Sequence, residues 1–373
     1  MQVLSEGERP WTIPSAERKR WDCVALGEVM LRLDPGEERV RSARNFRVWE
    51  GGGEYNVARA LSRTFRRPTA VLTALPRNEL GDLVEGLIAQ ARVDVSQILW
   101  RPYDGLGRTT RVGLNFTERG FGVRPPLGVS DRANSAASQI TPDEFDWDRL
   151  FGETGARWLH TGGVFAALSQ ATADATLAAV RAARRKGVQV SYDVNYRASL
   201  WAGHPDPDAA RRVNAAIAAE CDLLFADERS LSTCLGLDVE AAGRRAWPID
   251  PQPPARGAAL AFEAFPRLRA VAYTLRDPRS ASVNGWQGVV HGRDGRYQSV
   301  ERQGLEILDR VGGGDAFAAG VIHGLLSGGG LQRAADLGAA HGALAMTTPG
   351  DAADVSAAEV EALAKGEARV AQR

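Results

Sequence analysis

The run DRVGGGDAFAAGVIHGLL (residues 309–326) sets three glycines, Gly312, Gly313 and Gly314, directly before an acid, Asp315, and an apolar stretch. Glycines without a Cβ let backbone N–H groups converge, and the start of a helix adds partial positive charge. Such a turn can hold an anion, including a phosphoryl group in transit. A carboxylate in the first helical turn beside it can take the proton of an incoming hydroxyl while the amides hold developing charge. The same local pattern also describes a capped helix after a glycine turn, with no chemistry attached.

Two more runs place polar groups where ligands could reach them. In GGGEYN (51–56), Gly51 and Gly52 allow close backbone approach to a small polyol, and Asn56 offers both a donor and an acceptor to a hydroxyl. Glu54 could act likewise, or the run could be a helix start and nothing more. In VSYDVNYRASLW (190–201) a strand ends in Asp193, Asn195 and Arg197. Strand ends of this kind form the ligand edge of an open α/β sheet.

Composition narrows the classes. The 373 residues carry a formal net charge of zero, so no overall field draws the chain to nucleic acid or to a membrane surface. Only three of the 46 basic residues are lysines, Lys19, Lys186 and Lys365, and none stands in a GxxxxGK[ST] frame. Cys23, Cys221 and Cys234 form no CxxC pair, and the five histidines are scattered without HExxH, which speaks against a disulfide framework and a zinc site. The polar N-terminus lacks a signal peptide's apolar core, and no apolar run approaches the roughly 20 residues of a membrane span. A cytoplasmic protein is expected.

The elements that must position these groups alternate. DCVALGEVMLRL (22–33), TAVLTAL (69–75), ARWLHTGG (156–163), VQVSYDVN (188–195), CDLLFAD (221–227) and RAVAYTL (269–275) read as strands. Helical patterns follow several of them: 51–65, 79–91 and 171–187. This is the signature of a doubly wound, mostly parallel α/β sheet with flanking helices. Between 99 and 135 the pattern turns short, alternating and glycine-interrupted. Together with 29–50 it predicts a small antiparallel lid over the strand ends. The last third reads as helical, WPIDPQPPARG (247–257) as an exposed insertion, residues 1–21 as an arm and 366–373 as a tail, leaving 22–365 as the main domain.

These runs resemble a known family. Residues 309–320 resemble the DTxGAGDxFxxG signature of the ribokinase-like (PfkB) carbohydrate kinases, with Arg310 in place of Thr and Gly313 in place of Ala. Gly51, Gly52, Asn56 and Ala58 match its second signature, GGxxxNxA. The resemblance implies ATP and magnesium, with Asp315 as base and Gly312, Gly313 and Gly314 around the transferred phosphoryl. It also implies that Gly51, Gly52 and Asn56 contact the sugar. DVNYRASLW is similar to the DxNxRxxLW stretch of 2-keto-3-deoxygluconate kinases, where the arginine matching Arg197 grips a substrate carboxylate; Arg132 resembles a second arginine of that acid site. RWLHTGGVFAALS (157–169), with Gly162 and Gly163, is similar to the same group.

On the nucleotide side the match loosens. The family's NxxE motif appears as Asp227, Glu228, Arg229, Ser230, so either Glu228 takes over the metal's water network or magnesium relies on the phosphates. Thr274–Asp277 lacks the usual loop glycine, and Arg276 could contact phosphate instead. Residues 347–356 fall where the family places its last nucleotide and cation loop, with Asp351 the matching residue, a monovalent ion its potential occupant, and His341 bordering the adenine. The expected reaction is ATP-dependent phosphorylation of a primary hydroxyl on an acid sugar such as 2-keto-3-deoxygluconate. A kinase for a neutral sugar and a non-catalytic sugar sensor are the alternatives. By analogy with the family, apolar lid strands could pair two subunits.

Overall fold

Runs such as VALG and TAVLTAL carry no polar face because both of their faces are covered. The computed structural model describes residues 11–202, 204–239 and 256–367; most of the proline-rich run 247–257 and the tail beyond 367 lie outside them. In chain order, β1 (Cys23–Leu26) is followed by β2 (Met30–Asp34), β3 (Arg47–Gly51) and α1 (Gly53–Arg63). Next come β4 (Thr69–Pro76), α2 (Glu79–Gln90), β5 (Ile98–Arg101), β6 (Leu114–Glu118), β7 (Leu127–Asp131) and α3 (Trp147–Phe151). The middle of the chain holds β8 (Trp158–Gly162), α4 (Gly163–Ala166), α5 (Gln170–Arg185), β9 (Gln189–Asp193), α6 (Ala198–Trp201), α7 (Ala209–Ala218), β10 (Leu223–Phe225), α8 (Glu228–Leu235) and α9 (Arg256–Ala264). The last part holds β11 (Ala270–Pro278), β12 (Val283–Gly292), β13 (Arg296–Gln298), β14 (Arg302–Glu306), α10 (Gly313–Leu326), α11 (Leu331–Ala345) and α12 (Ala357–Ala364).

The main sheet runs β13-β12-β11-β10-β9-β8-β1-β4-β5, with β14 pairing β12. From β5 to β11 it is parallel, and β12 turns antiparallel. Along β1, Val24 and Leu26 pack into one helix-covered layer, while Cys23 and Ala25 face the other. This two-sided burial explains the unbroken apolar runs. Chain order reverses beside β1, with β4 on one side and β8 on the other. That is the switch point at which open sheets bind ligands beyond their C-terminal strand ends.

A second sheet, β3-β2-β6-β7, stands over that edge as the expected lid. Two details depart from expectation. β2 and β6 pair in parallel, because they come from separate insertions rather than from one hairpin. Residues 98–101 belong to the main sheet as its edge strand beside β4, not to the lid. β12–β14 also add strands to the last third, where helices were expected apart from the strand at 269–275. Of the N-terminal arm, residues 11–20 lie against the far end of the sheet: Trp11 stacks on Trp158 at 5.8 Å, and Arg157 Nε donates to Pro14 O at 2.6 Å.

Candidate active site

One cleft of about 770 Å³ opens between the lid and the C-terminal ends of β1, β8, β9, β10 and β11, within the size range of small-molecule sites. α10 aims its N-terminus into it. The helix is apolar all round and packs against α1 and α11, so its start is rigidly placed. Several other helices are capped by their own side chains, such as α2 by Asn78 and α5 by Ser169. α10 instead begins at Gly312 in a left-handed conformation, φ 77°, with no side-chain cap. A Cβ at that position would lie 1.7 Å from the Asp351 carbonyl oxygen, so only glycine fits the turn.

Asp315 stands in the first turn of α10, and Asn56 Nδ2 on α1 donates to its Oδ2 at 2.7 Å. Burial pushes the Asp315 carboxyl up to about 7; the Asn56 hydrogen bond opposes the rise, and Asp193 and Asp351 add to it. A group poised there exchanges protons near neutrality, as a general base must. Asp193, at the end of β9, is pushed up to about 6 by burial, partly offset by the Asn195 N–H donated at 3.0 Å and by Arg197. Glu54 is raised by burial to about 8. Its carboxylate occupies space left by Gly27 and Gly162, where a Cβ would come within 2.4 and 2.6 Å of its oxygens.

The two signatures therefore meet across the cleft, and most of the expected residues line it: Gly52, Asn56, Arg132, Arg197, Asp227, Arg276, Gly312, Gly314, Asp315 and Asp351. Gly51 serves differently. A Cβ there would lie 2.1 Å from Asp351 Oδ2, so its missing side chain makes room for a protein carboxylate rather than for a ligand. Gly313 is buried behind the turn. Arg132 faces the cleft already ion-paired with Glu28, a buried acid that carries no motif in the sequence. Glu28 Oε1 and Arg132 Nε have no hydrogen-bond partner among the described residues, which leaves unsatisfied polar capacity beside the cleft.

Two expectations fail on position. His341 is fully buried, with Nδ1 2.8 Å from Ala316 O and its ring edge-on to Phe65. It ties α11 to α10 inside the core and does not border the cleft; burial holds its imidazole down at about 4. Glu228 is likewise absent from the cleft lining, and its Cγ lies beside Gly257 of α9. Asp227, its neighbour, does line the cleft. It caps α8 through Oδ1, which accepts from Ser230 N and Oγ at 2.8 and 2.6 Å. Arg310, seen in the sequence only as a departure from the signature, also faces the cleft. So does Arg276, whose guanidinium lies 5.2 Å over the Trp286 ring.

The chain matches the sequence model of the pfkB family carbohydrate kinases over residues 21–358. It is 30% identical to the 2-dehydro-3-deoxygalactonokinase of Haloferax volcanii, across 92% of this chain and 97% of that protein. It is 28% identical to the 2-dehydro-3-deoxygluconokinase of Bacillus subtilis, across 88% and 91%. The crystal structure of 2-dehydro-3-deoxygluconokinase from Thermotoga maritima superposes with a TM-score of 0.81 at 34% identity, covering 92% of this chain and 99% of that one. With both signatures meeting at one cleft and the match spanning nearly the whole chain, this protein belongs to the pfkB family of carbohydrate kinases.

Proposed function

We propose that the chain phosphorylates the primary hydroxyl of a six-carbon 2-keto-3-deoxy sugar acid, gluconate or galactonate in configuration, with ATP as donor. The observation that carries the acid is Arg197. It faces the cleft without an ion pair among the described residues, at the sugar end beside Asp193. A planar guanidinium left free in this way suits a carboxylate. Arg132, neutralised by Glu28, is better placed to bind hydroxyl or keto oxygens than a second charge.

Asn56 and Gly52 border the same end and position the acceptor sugar. Asp315 takes the proton of the attacking hydroxyl as its oxygen bonds to the γ-phosphorus and the bond to the departing ADP oxygen breaks. The amides around Gly312–Gly314 hold the phosphoryl charge during transfer. Arg276 and Arg310 face the phosphates. Among the described residues no cluster of three metal ligands occurs, so magnesium would be held by the phosphates with Asp227 as the available carboxylate, and its charge would ease the departure of ADP. Lid closure would exclude water from this transfer. Val48, Leu33, Phe116 and Val129 lie in register across one lid face, where a second copy could pair.

The test is ADP release over a panel of 2-keto-3-deoxy acids, aldonic acids, fructose and ribose, with Asp315→Asn as the blank. Preferred turnover of a keto-deoxy acid supports the reading. Equal or better turnover of fructose or ribose overturns the acid assignment.

A further inference from the structure

Where the lid sheet meets the catalytic loops lies a buried charge cluster that the reaction scheme above does not use. Arg32 on β2 is 1% exposed. Its Nη1 donates to Asp351 Oδ1 at 2.7 Å and its Nη2 to Asp309 Oδ2 at 2.6 Å, with Asp34 Oδ2 3.6 Å from Nη2. Arg119 completes the cluster, 3.0 Å from Asp34 and 3.8 Å from Asp309. All three carboxylates are buried.

Asp309 and Asp351 sit on the two loops that shape the anion turn. Asp309 Oδ1 accepts from Val311 N at 3.2 Å, and its Oδ2 from Gly350 N at 3.3 Å. The Asp351 carbonyl is the atom pressed against Gly312, where the chain takes its left-handed step into α10. One planar fork thus joins loop 309–312 to loop 350–351. For stability alone, apolar packing would serve as well as a buried ion group. Directional bonds from one rigid donor to two loops are what apolar packing cannot supply.

The resemblance in sequence allowed for a monovalent cation at the 347–356 loop. The carboxylate matched to that loop, Asp351, is bound by Arg32 instead, and so is Asp309. The residues present do not fit a separate ion.

We propose that Arg32 is a built-in cation: its guanidinium supplies permanently the charge that holds the 309–312 and 350–351 loops around the anion turn, so neither folding nor turnover needs a monovalent metal ion. Arg32 is a positioning residue that acts through Gly312, and the inference rests on the kinase reading of that turn.

The test begins with the full-length wild-type protein and needs no substrate. Its unfolding midpoint in potassium, sodium and tetramethylammonium chloride at equal ionic strength is expected to agree within about 1 °C. A midpoint raised specifically by potassium overturns the proposal. Turnover in the three salts is expected to agree within about twofold, and a collapse of about tenfold in tetramethylammonium overturns it as well. If no sugar is turned over at all, that result falls on the substrate assignment, while the midpoints still decide this one.

Arg32→Ala is expected to lose about 100-fold in kcat, with KM for the sugar within about threefold. Adding about 20 mM guanidinium is expected to restore about tenfold, a rescue that a merely structural role would not give. Wild-type kcat in this variant, or no rescue by guanidinium, overturns the proposal. Arg32→Lys keeps the charge without the fork and is the variant to use where the alanine form does not fold. About a tenfold loss is expected from it, and full activity overturns the two-loop role.

Discussion

Replacing Asp315 by Asn should stabilise this protein while nearly abolishing turnover, and the two effects have one cause. The Asp315 carboxyl is raised from 3.8 to about 7, chiefly by burial. Below about pH 4 it is protonated in folded and unfolded chains alike. Between about 4 and 7 the unfolded chain loses the proton and the folded one keeps it, so this group makes stability fall as pH rises, and above about 7 the penalty is complete. A rise from 3.8 to about 7, at about 1.4 kcal/mol for each tenfold change in proton affinity, sets a ceiling of about 4 kcal/mol. Water in the open cleft reduces this, so about 1–3 kcal/mol is expected, or about 1–4 °C in Tm for a chain of this size. Asn is nearly isosteric and can still accept from Asn56. Thermal unfolding of wild type and Asp315→Asn across pH 4–8 should therefore give curves that separate between pH 4 and 7 and run parallel above. In the same protein, ADP release should fall at least about 100-fold, the scale of losing a positioned base. A variant no more stable than wild type at pH 8 would refute the desolvated carboxylate, and near-normal turnover would remove Asp315 from the proton transfer.

Three further outcomes test other parts of the site. Arg197→Ala should cost about 2–4 kcal/mol in kcat/KM for the acid sugar and Arg197→Lys less, while a neutral sugar is far less affected; equal losses for both sugars would make Arg197 a structural residue. Gly312→Ala places a Cβ 1.7 Å from Asp351 O at φ 77°, so turnover should fall by about 100-fold or more with the fold retained, and unchanged kinetics would show that the turn does not hold the phosphoryl. Amide exchange in 30–51 and 114–131 should slow when sugar and a non-hydrolysable nucleotide bind together; protection confined to other segments would rule out a closing lid.

The features legible in the sequence were those imposed by local backbone chemistry. Three glycines before an acid, glycines before Asn56 and a strand ending in Asp193 each announce a position where the main chain must approach something. The structure brings all three to one cleft. Apolar runs announced the parallel strands because burial on both faces removes alternation. What stayed hidden depends on partners distant in sequence. Arg32 and Asp34 read as the polar face of an alternating strand, yet that face meets Asp309 and Asp351, about 300 residues away, and is buried. His341 reads as a polar helix residue near a nucleotide loop, but α10 supplies a carbonyl that satisfies it in the core. The 98–101 strand looked like lid because an edge strand, short and half-exposed, alternates as a lid strand does.

The loosened nucleotide motifs take on a different meaning once charges are placed. The chain lacks the family's Asn and Glu after β10 and the glycine after β11, losses that on sequence alone favoured a non-catalytic role. Arg276 and Arg310 face the cleft at that end, and neither makes an ion pair among the described residues; burial, and after it the neighbouring Arg310 charge, lower the Arg276 guanidinium to about 10. Arg197 stands at the other end, without an ion pair among the described residues. Between them lie Asp315, with a carboxyl pushed up to about 7, and the uncapped start of α10. Unpaired guanidiniums that repel one another are costly to hold together unless an anion binds them. A cleft with cations at both ends and a base between suits a ligand pair that is anionic at both outer ends and reacts in the middle: a polyphosphate on one side and a carboxylate-bearing sugar on the other. On the proposed reading the arginines take over from the missing motif residues, and the departure from the family pattern then argues for phosphoryl transfer rather than against it.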